Sequence, residues 1–373
     1  VNVYEHFHSG SIRVNQFFVN VYDAPMEQPV TDIRRLAEHL NISIGTVSRA
    51  LNNRPGVHPE TRSRVLQAAT ELGYVANASG RSLRRGATNT IGFVIETGSP
   101  ANQAGDNFFY IVTDAMHEHL AERGYDLVIL PCHSADDPAE YLARLVARGI
   151  VDALVITATR VQDRRIALLA KSAMPFLTLG RSETPGEYPW IDFDFEGVAR
   201  RSVAELVALG HKRIAVALPE KDVTLGKFYR KGYLAGLETA GLPTEPDLIF
   251  RVATSEEGGH DFGCRLAALP DRPTAALLCS EATTVGLYGA LRDNGLAVGN
   301  DVSVITFREN PQLRFLDPAP ACFRTSLPEL GREMARAVLD LLDSDSPLAR
   351  HRQTLWPLEF VTGASIAPAL PAG

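Results

Sequence analysis

The sequence predicts a small all-α helix-turn-helix domain followed by a larger α/β core of two Rossmann-like subdomains. Three observations predict this. Residues 31–74 carry three short helical patterns separated by turns. From residue 90 onward, short apolar runs alternate with amphipathic stretches, as in parallel sheets covered by helices on both faces. Charge is divided the same way: residues 30–88 hold nine Arg against Asp32, Glu38, Glu60 and Glu71, a net of +5, while the whole chain stands at −7. A basic block on an acidic chain is the electrostatic footprint of a partner that is a polyanion.

The first helix is expected over residues 31–40, with Ile33, Leu36, Ala37 and Leu40 on one face. The second runs from Ser43 to Leu51, with Ile44, Val47, Ala50 and Leu51 at the same spacing. Asn41-Ile42 leaves room only for a tight turn, and Ser43 is a good N-cap. Pro59 opens a third helix through Val65, Leu66, Ala69 and Leu72, and Gly73 ends it. Any small three-helix bundle shares this outline, so the polar residues decide. The second helix offers Ser43, Thr46, Ser48 and Arg49 on its open face, groups that reach phosphates and base edges. Two short helices joined by a tight turn can set such a face in the major groove.

In the core, strands are expected at 90–95, 126–130, 153–156, 176–179, 213–217, 275–278 and 304–307. Helices are expected between them at 109–123, 138–148, 164–171, 195–209, 227–240, 258–269 and 283–294. Ligands in such folds sit at the carboxyl ends of the strands, and two facing subdomains make a cleft that can close.

Composition bounds the function. The chain has 373 residues, ample for two or three domains, and 45% apolar with 22% charged residues is the balance of a folded globular chain. No run of 18 apolar residues marks a membrane span. The four cysteines (132, 264, 279, 322) show no metal or redox spacing, which reads as structural thiols in a reduced cytoplasmic protein. Residues 1–25 lack the pattern of a signal peptide and read as an extension ahead of Met26, disordered through residue 28. No GxSxG, HExxH, GxxxxGK[ST] or GxGxxG is present, and the histidines form no ligand set. No catalysis, metal or cofactor is expected.

TVSRALN (46–52), VHPETRSRVLQAATELGY (57–74) and NASGRSLRRGATNTIGFV (77–94) closely resemble the lactose/galactose repressor family of bacterial transcription regulators, and the likeness continues more loosely to about residue 366. The resemblance implies a homodimeric, ligand-responsive repressor on a pseudo-palindromic operator, with a periplasmic-binding-protein-like core. It implies a helix-turn-helix domain over 29–75 and a hinge helix and linker over 76–88. The effector core would span 89–366, its N-subdomain 89–190 plus 321–347 and its C-subdomain 191–320 plus 348–366, with a tail at 367–373. The DNA contacts it implies fall on Thr31, Ser43, Ile44, Gly45, Thr46, Ser48, Arg49, Asn52 and Thr61, and on Asn77, Arg81 and Leu83 of the hinge. Leu83 stands where the family places a minor-groove wedge, flanked by arginines that favour a narrow groove. Ile44-Gly45 occupies the pair that sets sequence preference, and Arg49 is the best candidate for a guanine.

For the effector, the resemblance carries over Phe108, Phe109 and Arg181. It departs at Tyr229, where the family has Arg and where Arg230 is the neighbour, and at Ser280-Glu281. It departs again at Arg308, where a cation replaces an acidic group. That cation implies either an anionic ligand or an internal pair with Glu281 or Glu309. FFYIVTDAM and PWIDFDFEGVARRSVAEL look like the α-glucoside-utilisation branch, so a small sugar such as an α-glucoside is expected; a phosphosugar, a non-sugar metabolite or a corepressor stands as the alternative.

Overall fold

The computed structural model describes residues 32–51, 53–74, 87–97, 107–343 and 349–369. The expected extension and most of the expected hinge lie outside them. The chain divides into two units, one ending at Arg85 and the other beginning at Gly86.

The first unit is built from α1 (Ile33–Leu40), α2 (Ile44–Leu51) and α3 (Pro59–Glu71). Leu36 and Ala37, Val47 and Ala50, and Val65 and Ala68 meet in one small core. The Asp32 carboxylate accepts the Arg34 N–H at 2.8 Å and starts α1. Asn41 ends it at φ +52°, a left-handed conformation that Asn tolerates better than branched residues, and so makes the turn. Ser43 Oγ then accepts the Thr46 N–H at 3.1 Å, capping α2. Arg62 of α3 closes the other end: its guanidinium donates to Ala50 O at 3.3 Å, Asn53 Oδ1 at 2.6 Å and Arg54 O at 2.7 Å. One side chain thereby fixes α3 against the last turn of α2.

The second unit has two six-stranded sheets. The first is formed by β1 (Thr90–Glu96), β2 (Asp126–Cys132), β3 (Ala153–Ile156), β4 (Phe176–Leu179), β5 (Trp190–Phe193) and β11 (Gln353–Trp356), in the order β11-β5-β4-β3-β1-β2 and all parallel. The second contains β6 (Ile214–Pro219), β7 (Ile249–Val252), β8 (Ala275–Leu278), β9 (Ser303–Arg308), β10 (Ala321–Arg324) and β12 (Glu359–Val361), in the order β12-β10-β9-β8-β6-β7. Only β12 runs antiparallel to its neighbour there. β3, β4, β6, β8 and β9 are buried at every residue, as strands covered on both faces must be.

Helices α4 (Phe108–Ala121), α5 (Pro138–Arg148) and α6 (Arg164–Leu169) cover the first sheet. α7 (Phe195–Ala208), α8 (Thr224–Thr239), α9 (Glu256–Ala267) and α10 (Glu281–Asp293) cover the second. α11 (Leu327–Leu342) returns to the first lobe and lies on α4. The approach is close: a Cβ on Gly331 would stand 2.3 Å from Val112 O.

The chain crosses between lobes three times: after Phe193, between Arg324 and Leu327, and between Trp356 and Glu359. The boundaries expected at 190, 320 and 348 therefore each fall short. β5 still pairs with β4, β10 is still held by β9, and β11 adds an edge to the first sheet before the last crossing.

Candidate nucleic-acid interface and ligand cleft

In the first unit, α2 turns Val47 and Ala50 inward and leaves Ser43, Ile44, Gly45 and Arg49 exposed, with Thr46 and Ser48 half-buried. Ile44 is a branched apolar side chain 45% exposed. Gly45 has no internal reason to be glycine: an added Cβ would stand 3.8 Å from both Arg49 Nη2 and Ser43 Oγ, an ordinary contact. Glycine within a helix costs about 1 kcal/mol relative to Ala. The missing side chain leaves the backbone of α2 uncovered at this point of its exposed face. Thr61, in the first turn of α3, is half-buried. Thr31, Asn52, Asn77, Arg81 and Leu83 lie outside the described residues.

In the second unit, the carboxyl ends of both sheets face a cleft of about 390 Å³. Its floor is aromatic. Phe108 meets Phe109 edge-on at 5.0 Å and Phe193 at 6.1 Å, and Phe193 meets Phe307 at 5.8 Å. Phe307 in turn lies 5.0 Å from Phe195. These rings come from α4, β5, α7 and β9, so both lobes contribute. At one side Thr224, at the start of α8, donates its N–H at 3.2 Å and its hydroxyl at 3.1 Å to Thr159 O of the opposite lobe. Val223 forms a β-bridge with Arg160, and Lys227 pairs with Glu183.

Polar side chains line the walls around this floor. Arg308, at the end of β9 and 4% exposed, sets its Nε 3.1 Å from Glu281 Oε1, and its guanidinium lies 5.2 Å from the centre of the Phe108 ring. Glu309 is committed elsewhere, to Arg324 at 2.7 Å and Arg314 at 3.2 Å. Of the two internal pairings open to Arg308, the geometry takes Glu281. Ser280 precedes α10, and its carbonyl accepts the Thr283 and Thr284 hydroxyls at 2.8 and 3.0 Å. Cys279 lines the cleft too, but its Sγ donates to Ala217 O at 3.3 Å and burial pushes the thiol up to about 12.

Five of the eight expected effector residues line the cleft: Phe108, Phe109, Ser280, Glu281 and Arg308. Three do not. Tyr229 is fully buried and donates its hydroxyl to Leu278 O at 3.0 Å, because α8 turns this position into the second lobe's core. Arg230, one residue on, is carried to the exposed side. What α8 presents to the cleft is its first turn, at Thr224 and Leu225. Arg181 is turned aside: Nε lies 3.0 Å from Asp192 Oδ2, and the guanidinium stacks 3.6 Å from the centre of the Phe228 ring of the other lobe.

The cleft also takes residues that the sequence did not single out, among them Thr157, Asp192, Lys221 and Asn310. Asp192 had a visible signal, a lone acid inside the apolar run 190–193. Burial pushes its carboxyl up to about 7, against the opposing pull of Arg181. Among the described residues no group of three or more His, Cys, Asp or Glu could hold a metal ion, and no helix is long and apolar enough to cross a membrane.

An exposed helix-turn-helix face in one unit and an aromatic, two-lobed cleft in the other define a ligand-responsive DNA-binding regulator. Residues 32–77 match the bacterial regulatory proteins of the lacI family, and residues 203–366 match the periplasmic binding protein-like domain. The chain is 34% identical over 345 residues to the HTH-type transcriptional regulator AglR of Rhizobium meliloti (strain 1021), covering 91% of this chain and 95% of that one. It therefore belongs to the lacI family, a family of transcriptional regulators rather than enzymes. Two solved structures share the fold. The lac repressor dimer bound to operator and the anti-inducer ONPF has a TM-score of 0.79 at 23% identity, covering 91% of this chain and 100% of that one. The transcriptional regulator CelR in complex with cellobiose has a TM-score of 0.67 at 24% identity, covering 90% and 99%.

Proposed function

We propose that the protein is a homodimeric cytoplasmic repressor of carbohydrate-utilisation genes, released from a pseudo-palindromic operator by a small sugar of the α-glucoside kind. The observation that carries this reading is the cleft: aromatic rings suit the C–H faces of a sugar, and a few placed polar groups suit its hydroxyls. Both lobes supply the lining, so a ligand that binds them together biases their relative pose. The Thr159–Thr224 and Arg160–Val223 contacts are the joints that such a change rearranges. Related proteins support the reading, one a dimer on its operator and another holding cellobiose.

On the DNA side, Ser43–Arg49 reads one half-site per subunit, aided by Thr31, Asn52 and Thr61. The hinge of residues 76–88, with Asn77, Arg81 and Leu83, occupies the centre of the operator and passes lobe pose to the reading helices. The coupling is reciprocal, since operator and sugar each change the affinity of the other by the same factor.

Operator binding measured by fluorescence anisotropy, with and without a panel of α-glucosides, tests this. One of them should weaken operator binding by roughly 5- to 150-fold. If none shifts the curve, the sugar reading fails; if one strengthens binding, release is the wrong direction and the ligand is a corepressor.

A further inference from the structure

We propose that the Glu281–Arg308 pair sets the charge class of the ligand: the cleft takes an uncharged polyhydroxylated molecule and rejects its phosphorylated or carboxylated form. This rests on the cleft being the effector site.

Arg308 is where an anion would be expected to dock, as a buried guanidinium lining the cleft. Its charge is already matched. Nε stands 3.1 Å from Glu281 Oε1, and the two side chains are only 5% and 18% exposed. A buried pair of this kind does not part cheaply, because the partner left behind is an uncompensated buried charge. Glu281 is also the first residue of α10, where the helix dipole favours a negative charge. An incoming phosphate thus meets a carboxylate that the helix holds in place, and two anions would share one guanidinium.

The rest of the wall acts in the same direction. Lys221 joins Arg308 as a cation, but Glu220, Glu256 and Glu281 all line the cleft. Asp192 adds a further negative charge to the extent that it is ionised. The lining is acidic on balance, which repels an anion and not a neutral sugar. The pair remains useful to a hydroxyl, which both donates and accepts, because donor and acceptor are fixed side by side. Phe108 beneath the guanidinium at 5.2 Å holds that geometry. Here the departure at Arg308 makes a two-signed hydroxyl reader, not an anion site.

The test uses the full-length protein and isothermal titration calorimetry. Wild type is titrated with maltose, sucrose and trehalose, and with sucrose 6-phosphate and trehalose 6-phosphate. Any neutral sugar that binds should bind about tenfold or more tightly than its phosphorylated form; a phosphorylated form binding equally well or better overturns the proposal. A second arm needs no knowledge of the effector. Inorganic phosphate, matched in ionic strength by chloride, should neither bind nor raise the Tm of wild type. Glu281→Gln, which removes the carboxylate charge 3.1 Å from Arg308 and keeps nearly the same shape beside it, should gain phosphate binding. Phosphate binding to wild type that disappears in Arg308→Gln would overturn the proposal, as would a folded Glu281→Gln protein that still ignores phosphate. If no sugar of either class binds, the sugar reading has failed while the phosphate arm still decides the charge rule.

Discussion

The two working surfaces of this chain are built in opposite ways. The open face of the second helix lies on consecutive residues of α2, and one buried side, Val47 and Ala50, decides which residues are left outside. The cleft is assembled from the ends of many separated segments, with Phe108, Asp192, Thr224, Glu281 and Arg308 spread over 200 positions. A surface made by one helix inherits its geometry from helical periodicity. A surface made by strand ends inherits it from the register of two sheets. The first tolerates no local change of phase but is indifferent to the rest of the chain; the second depends on long-range pairing that no local pattern records.

Leu36→Ala should give the largest effect that breaks the two surfaces apart. Leu36 is fully buried in a core of six small and medium side chains, and losing it should cost about 2–5 kcal/mol. In a unit this small that is enough to abolish operator binding at physiological temperature, while calorimetric titration with the effector stays unchanged. Loss of ligand binding in the same variant would mean that the two surfaces are not independently built. Arg49→Ala should come next. Arg49 is exposed, so folding should survive, and operator affinity should fall by about 5- to 150-fold in anisotropy titrations, the value of roughly 1–3 kcal/mol for a lost guanine contact. An unchanged operator affinity would remove Arg49 from the reading face.

The same contrast explains what was legible before the structure. All three helices of the first unit are found within two residues of their expected ends, because Pro59, Ser43 and Asn41 punctuate them locally. Seven core strands and seven helices were readable from apolar runs and amphipathic stretches. β5, β7, β10, β11 and β12 are additions to the expected strands; the last two, QTLW and EFV, are short and half-exposed, and they are strands only because β5 and β10 offer them an edge. α11 lies beyond the expected helices although it is amphipathic, with Leu327, Leu330, Met334 and Val338 inward. Residues adjoining a strand end, such as Ser280, Glu281 and Arg308, do line the cleft. Tyr229 and Arg230 failed because the rotation of α8 about its axis is fixed by its packing on α7, where Gly232 lies too close to Glu196 O for any side chain. No spacing within 224–239 shows that contact.

Asp192 sharpens the comparison further, with the smallest expected effect. It sits where the apolar floor meets the polar wall, 3% exposed and 3.0 Å from Arg181. Its carboxyl is raised from an ordinary 3.8 to about 7, chiefly by burial. Between those values the folded protein holds a proton that the unfolded chain does not. Its contribution to stability is therefore complete below pH 3.8 and is lost as pH rises through about 7. Asn cannot titrate, so the difference in Tm between wild type and Asp192→Asn should fall steadily from pH 4 to 7 and then level off. Thermal melts of both proteins across that range measure it directly, and carboxylates with lowered values, Asp163 and Glu309 among them, cancel because both proteins carry them. A difference that stays flat would mean that Arg181 keeps Asp192 ionised throughout. The cleft would then be more acidic than its burial implies, and its preference for neutral ligands correspondingly stronger. A difference that falls as expected means that one wall of the cleft changes charge as pH rises through about 7, because strand ends from a buried sheet can enclose a carboxyl in a way that the exposed face of a single helix cannot.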